Sequence, residues 1–161
     1  MITFSFPDDE VLAALGRVTI AHGHHEYILK MTIKSLFDYS IDEALSATDK
    51  KAIVKLRKKI ENKAMEKLGR CTALDELKRF LARSWSVSDR RNLYVHNLWA
   101  GELDGPILLR NNNNSWEPAP SKDVLYALSQ EILEINNELN LSRLVGVIFE
   151  ALEAKKTRVD A

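Results

Sequence analysis

Val11-Leu12-Ala13-Ala14-Leu15-Gly16-Arg17-Val18-Thr19-Ile20-Ala21-His22-Gly23-His24-His25-Glu26-Tyr27-Ile28-Leu29 is the stretch that decides the fold. Val11, Leu15, Val18, His22, His25, Leu29, Ile33 and Leu36 recur at alternating steps of three and four, one stripe at about 100° per residue. Pro7 is followed by Asp8, Asp9 and Glu10, whose carboxylates suit the positive end of a helix dipole. The spacing predicts a helix over about residues 8–39. A second is predicted over about residues 49–68, with Thr48 as N-cap, the stripe Ile53, Leu56, Ile60, Ala64 and Leu68, and Gly69 as the stop.

A third helix is predicted over about residues 74–99. Its stripe, Leu77, Leu81, Ser84, Ser88, Arg91, Val95 and Leu98 with Trp99, begins apolar and turns polar. A polar interruption of a core-facing stripe is where local rules give way to function. Residues 100–120 read as a β-hairpin or ordered loop, with Asp104-Gly105-Pro106 as a turn, Ile107-Leu108-Leu109 as a short strand, and Pro118 and Pro120 closing it. The fourth helix starts after Pro120 with Ser121 as N-cap and the stripe Leu125, Leu128, Ile132, Ile135 and Leu139. A break is expected at residues 140–142, then a last helical piece over 143–155. The fold class is all-α: a single helical domain over residues 1–161. Its expected form is an antiparallel four-to-five-helix bundle with a hairpin or loop insertion between helices three and four.

Composition agrees. A chain of 161 residues can bury about 70% of its unfolded surface in one core. With 45% hydrophobic and 29% charged residues it is neither disordered nor collagen-like. Cys71 stands alone, which excludes an internal disulfide and a multi-cysteine zinc site. No apolar run approaches the ~18 residues of a membrane span. The first residues lack the basic start and apolar stretch of a signal peptide. The expectation is a reduced, cytoplasmic protein with no membrane partner.

Net charge is zero, but it is unevenly spread. Residues 50–70 hold 9 basic and 2 acidic residues, a balance of +7, whereas residues 1–49 hold 3 and 8. Lys58, Lys59 and Lys63 in that basic segment are candidate contacts for a polyanion. The alternative is a solvated helix face.

The chemistry-bearing string is Asp89-Arg90-Arg91-Asn92-Leu93-Tyr94-Val95-His96-Asn97-Leu98-Trp99. Asn92 and His96, four apart, share a helix face, and Arg91 has the reach to join them. The set supplies a permanent cation, an amide and a group that titrates near neutrality, which suits phosphoryl chemistry.

Arg91-Asn92-Leu93-Tyr94-Val95-His96 resembles the Arg-Asn-x-x-x-His signature of the HEPN superfamily, found late in a helix of a four-to-five-helix bundle. Trp99 after the motif is similar to many bacterial relatives; the hairpin that follows departs from the minimal bundle. The resemblance implies a metal-independent endoribonuclease that needs no cofactor, of the toxin–antitoxin or phage-defence kind. His96 would move the proton, Arg91 would stabilise the phosphorane-like state, and Asn92 would orient His96 or contact phosphate. It also implies a homodimer sharing one cleft, and a neutralising protein partner. The alternative is a non-catalytic module that binds RNA, nucleotide or protein, with Arg91 a buried cation paired to Asp89 or Glu26.

His22 and His25 fall on the centre of the first helix's stripe, with Glu26 at its margin. A metal reading has no third ligand. They read instead as supporting residues, with Glu26 pairing Arg91 or positioning His96. Ser84, Ser86 and Ser88 have no triad context in the sequence. Cys71 has no neighbour that marks it as a nucleophile, and there is no glycine-rich phosphate loop.

Overall fold

A computed structural model describes residues 2–4, 6–102 and 105–159. Among them the chain is mostly helical, with six helices: α1 Asp9–Phe37, α2 Ile41–Thr48, α3 Ile53–Leu68, α4 Thr72–His96, α5 Lys122–Leu144 and α6 Val147–Val159. Four short strands, β1 Ile2–Phe4, β2 Trp99–Glu102, β3 Ile107–Arg110 and β4 Trp116–Pro118, form one antiparallel sheet in the order β1-β2-β3-β4. Among the described residues no helix is long and apolar enough to cross a membrane.

Several boundaries differ from the expected ones, each for a local reason. Asp8 stands just before α1 and caps it, its Oδ1 accepting from the Val11 amide at 2.8 Å. The segment after Tyr39 contains an unforeseen helix, α2. Ser40 Oγ accepts from the Glu43 amide and the Glu43 carboxylate accepts from the Ser40 amide, a reciprocal capping box. Thr48 is therefore not the N-cap of the next helix. It closes α2, its hydroxyl donating to the Ala44 carbonyl at 2.6 Å. α3 begins at Ile53 without a side-chain cap and stops where expected, at Gly69 with φ 67°. α4 ends at His96, and Trp99 opens a strand rather than closing the helix. Ser121 caps α5 through the Val124 amide at 3.3 Å.

The insertion is a meander of three strands, joined by an N-terminal strand that helical periodicity gives no sign of. Its expected turn residue Asp104 lies outside the described residues, as do Met1 and Ser5 of the N-terminal stretch. The run Asn111–Asn114 forms the β3–β4 turn: Asn111 Oδ1 accepts from the amides of Asn113 and Ser115, and Asn114 takes φ 63°.

The expected break at residues 140–142 falls later. α5 continues through them and turns at Val145 and Gly146. The Gly146 amide donates to the carbonyls of Leu141 and Ser142, which brings its Cα against the helix it has just left. A Cβ there would stand 2.9 Å from Ser142 Cα, with no flexible side chain to give way. Gly146→Ala is therefore expected to destabilise the protein by about 1–3 kcal/mol. In a thermal melt each kcal/mol corresponds to about 2–4 °C; an unchanged Tm would contradict this account of the elbow.

Two compact units divide the chain: residues 1–23 with 85–133, and residues 24–84 with 134–161. In the first, Ala14, Val18 and Ala21 of α1, Val87 of α4 and Leu125, Leu128 and Ile132 of α5 are buried, as are Ala100 and Leu109 of the sheet. Ion pairs join α5 to both other helices here, Lys122 to Glu10 and Arg90 to Glu131. In the second, Leu29, Ile33 and Leu36 of α1 form one core with Leu56 and Ile60 of α3, Leu77 of α4, Leu139 of α5 and Ile148 of α6. Burying a side chain of this kind stabilises by about 1.5–3 kcal/mol.

Candidate active site

The last turn and a half of α4 brings together the three residues of the Arg-Asn-x-x-x-His string. Arg91 Nη1 lies 3.0 Å from Asn92 Oδ1 and 2.7 Å from His96 Nε2. A guanidinium only donates, so His96 Nε2 accepts and carries the lone pair. The imidazole is thus neutral in this arrangement, with its proton on Nδ1. Asn92 and His96 are exposed and Arg91 is half-buried. The grouping is open to solvent on one side, not sealed inside a core. Asn92 holds Arg91 here, rather than the His96 or phosphate that the resemblance implies for it.

Neighbouring contacts fix the helix end. Trp99 Nε1 donates to the Tyr94 carbonyl at 2.8 Å, satisfying one of the orphan carbonyls of the last turn. Asn97 Nδ2 donates to Asn112 Oδ1 at 3.3 Å, tying the residue after His96 to the β3–β4 turn. Tyr94, Val95 and Trp99 also line a groove of about 500 Å³ with Leu12, Leu15 and Gly16 of α1.

His22 and His25 belong to two separate hydrogen-bonded sets. His22 Nε2 lies 3.3 Å from Ser88 Oγ. His25 is fully buried, with Nδ1 2.6 Å from Asn136 Oδ1 and Nε2 2.6 Å from Ser84 Oγ. Asn136 Oδ1 can only accept, so Nδ1 carries the proton and Nε2 accepts from the Ser84 hydroxyl. Burial lowers the His25 pKa against the raising effect of the Asn136 bond. Ser84 thus does stand in a Ser–His–Asn chain, contrary to the reading from sequence. All three members are buried, so the chain is a structural polar network rather than a nucleophile. Both His25 nitrogens are engaged, which leaves none for a metal. Among the described residues no group of three or more His, Cys, Asp or Glu is placed to hold one.

Glu26 lies with its carboxylate 2.8 Å from Lys30 Nζ, one turn along α1. Of the basic segment, Lys58 is exposed on α3. Lys59 Nζ sits 4.8 Å from the Phe37 ring centre and Lys63 Nζ 5.1 Å from it, Lys63 also meeting Glu66 at 2.6 Å. Lys67 pairs with Asp38 at 2.9 Å. Part of the positive charge is therefore taken up by local partners.

Sequence reasoning missed Asn136 and the partnership of Ser84 with His25. The signal was present: Ser84 interrupts the apolar stripe of α4, and Asn136 stands between Ile132 and Leu139 on the buried side of α5. No family model, curated protein or solved structure matches this chain.

Proposed function

We propose that the end of α4 is the catalytic site of a metal-independent endoribonuclease of HEPN type. In this reading the helices form an antiparallel bundle, the protein is a cytoplasmic homodimer, and its role is that of a toxin or phage-defence effector with a neutralising protein partner. The observation that supports it is the arrangement of one guanidinium nitrogen between Asn92 Oδ1 and a neutral His96 Nε2, on an accessible helix end.

The chemistry follows from those atoms. A bound RNA phosphate draws the Arg91 guanidinium onto its oxygens, because a charge-assisted hydrogen bond is about twice as strong as a neutral one. His96 Nε2 is then free to accept the 2′-hydroxyl proton. The O2′–P bond forms as the P–O5′ bond breaks, leaving a 2′,3′-cyclic phosphate and a 5′-hydroxyl. Arg91 stabilises the charge that develops on phosphorus oxygens, and Asn92 keeps Arg91 in place. In a homodimer the two copies of His96 divide the two proton transfers.

The test is incubation of single-stranded RNA with purified protein in EDTA, followed by analysis of the ends. Fragments ending in 2′,3′-cyclic phosphate are expected. Loss of cleavage in EDTA, or 3′-hydroxyl ends, would overturn the mechanism. RNA that is bound but left intact would favour a non-catalytic module.

Lys58, Lys59 and Lys63 are proposed to meet the RNA backbone. Replacing all three by Gln should flatten the salt dependence of binding, by about 0.7 in log–log slope for each phosphate no longer neutralised. Lys58 sets the smallest expected change, since Lys59 and Lys63 also hold Phe37 and Glu66. An unchanged slope would make the segment a solvated face.

A further inference from the structure

A second pocket, in the unit of residues 24–84 and 134–161, is independent of the residues at the end of α4. It has a volume of about 370 Å³, within the range of small-molecule sites, and lies between the last turn of α1 and the α5–α6 elbow. Its charges are unevenly matched. Asp38 and Glu153 line it, but both are engaged: Asp38 by Lys67 and Lys156, Glu153 by Lys156 at 2.9 Å. Two lining cations remain, Lys34 and Arg143, and among the described residues neither makes an ion pair. Arg143 donates to the neutral amide oxygen of Asn140. Its Nε is sealed from solvent and, among the described residues, has no hydrogen-bond acceptor. A buried donor left in this state costs about 1–3 kcal/mol. Burial also lowers the Arg143 pKa, although Tyr27 acts in the opposite direction. The pocket has an apolar side as well, where Leu144 and Phe149 are exposed.

We propose that this pocket binds a small organic anion, its phosphate or carboxylate group held between Lys34 and Arg143 and its apolar body against Leu144 and Phe149. The anion supplies the countercharge that neither cation finds among the described residues. The site reads a negative group attached to an apolar ring or chain, not an extended polymer.

Titration of the full chain with phenyl phosphate, with benzoate and with neutral benzyl alcohol, followed by nitrogen–proton NMR, tests this. A saturable shift of the Arg143 Nε–H signal is expected with at least one of the two anions, with Kd about 1 mM or tighter. Benzyl alcohol should produce none. Tighter binding of phenyl phosphate assigns the group as a phosphate ester, and tighter binding of benzoate as a carboxylate. Lys34→Gln and Arg143→Gln should each weaken binding by about tenfold, read from the Leu144 and Phe149 amides. Among the described residues Lys34 has no ion pair to break, so its variant keeps the test decisive if Arg143→Gln is unstable. No saturable shift with either anion, equal binding of benzyl alcohol, or full affinity in Lys34→Gln would overturn the assignment.

Discussion

His96→Ala is expected to slow RNA cleavage by about 10²–10⁴-fold while leaving the protein folded. The size of the effect follows from removing the group to which the proposed reaction assigns the 2′-hydroxyl proton. The fold should survive because His96 is exposed at the last position of α4. A surface substitution of this kind changes stability by about 0.5 kcal/mol or less. Arg91→Lys should also fail to restore activity. A lysine ammonium carries the charge, but not the flat guanidinium whose Nη1 spans Asn92 and His96 at 3.0 and 2.7 Å. Rates and thermal melts measured side by side separate chemistry from folding. A folded His96→Ala protein that cuts as fast as the parent would remove the catalytic assignment.

The second large effect lies in the buried chain and concerns stability. His25→Ala should destabilise the protein by about 3–4 kcal/mol, through the cavity it leaves and the hydrogen bonds lost to Ser84 and Asn136. Ser84 is less costly, because a helical hydroxyl can turn to a carbonyl one turn back. Replacing the three together by apolar residues of similar shape should recover much of the stability, since unmatched partners cost more than absent ones. Acid should narrow the gap. Burial lowers the His25 pKa in the folded protein, so the unfolded chain binds the proton first. The stability tied to neutral His25 is complete above the unfolded value of about 6.5 and is lost as pH falls from there through the folded value. Urea melts between pH 8 and pH 5 should therefore show the parent losing more stability than His25→Ala. Parallel pH profiles would show that His25 is not the group responsible.

The helices are legible in the sequence because their determinants are local and periodic. The stripe from Val11 to Leu36, the Gly69 stop and the Ser121 cap follow from sequence spacing, and each falls within a few residues of its expected place. The Ser40–Glu43 capping box is equally local, but it opens a helix of 8 residues, too short for an apolar period to reveal α2. The strand β1 is not legible, because its pairing with β2 joins residues about a hundred positions apart and leaves no period in three residues.

At the candidate site the division is similar. Spacing alone puts Arg91, Asn92 and His96 within reach of one another, since a helix brings i and i+4 side chains together. It does not say that Arg91 caps the His96 lone pair, or that Asn92 holds Arg91 instead of His96. Those choices depend on which rotamers the end of the helix leaves open. The fate of His25 is decided wholly by tertiary structure. The period of α1 marks it as inward-facing, but its partners Ser84 and Asn136 come from α4 and α5, and only packing can turn an inward histidine into a satisfied, neutral one. The same holds for Arg143 and Lys34: 109 positions apart in the chain, they are gathered into one pocket by the elbow at Gly146 and the last turn of α1. The sequence by itself determined the helical periods and which polar side chains gather on one helix end. The tertiary structure decided which polar groups meet across helices, because hydrogen-bond partners distant in sequence have no local signature.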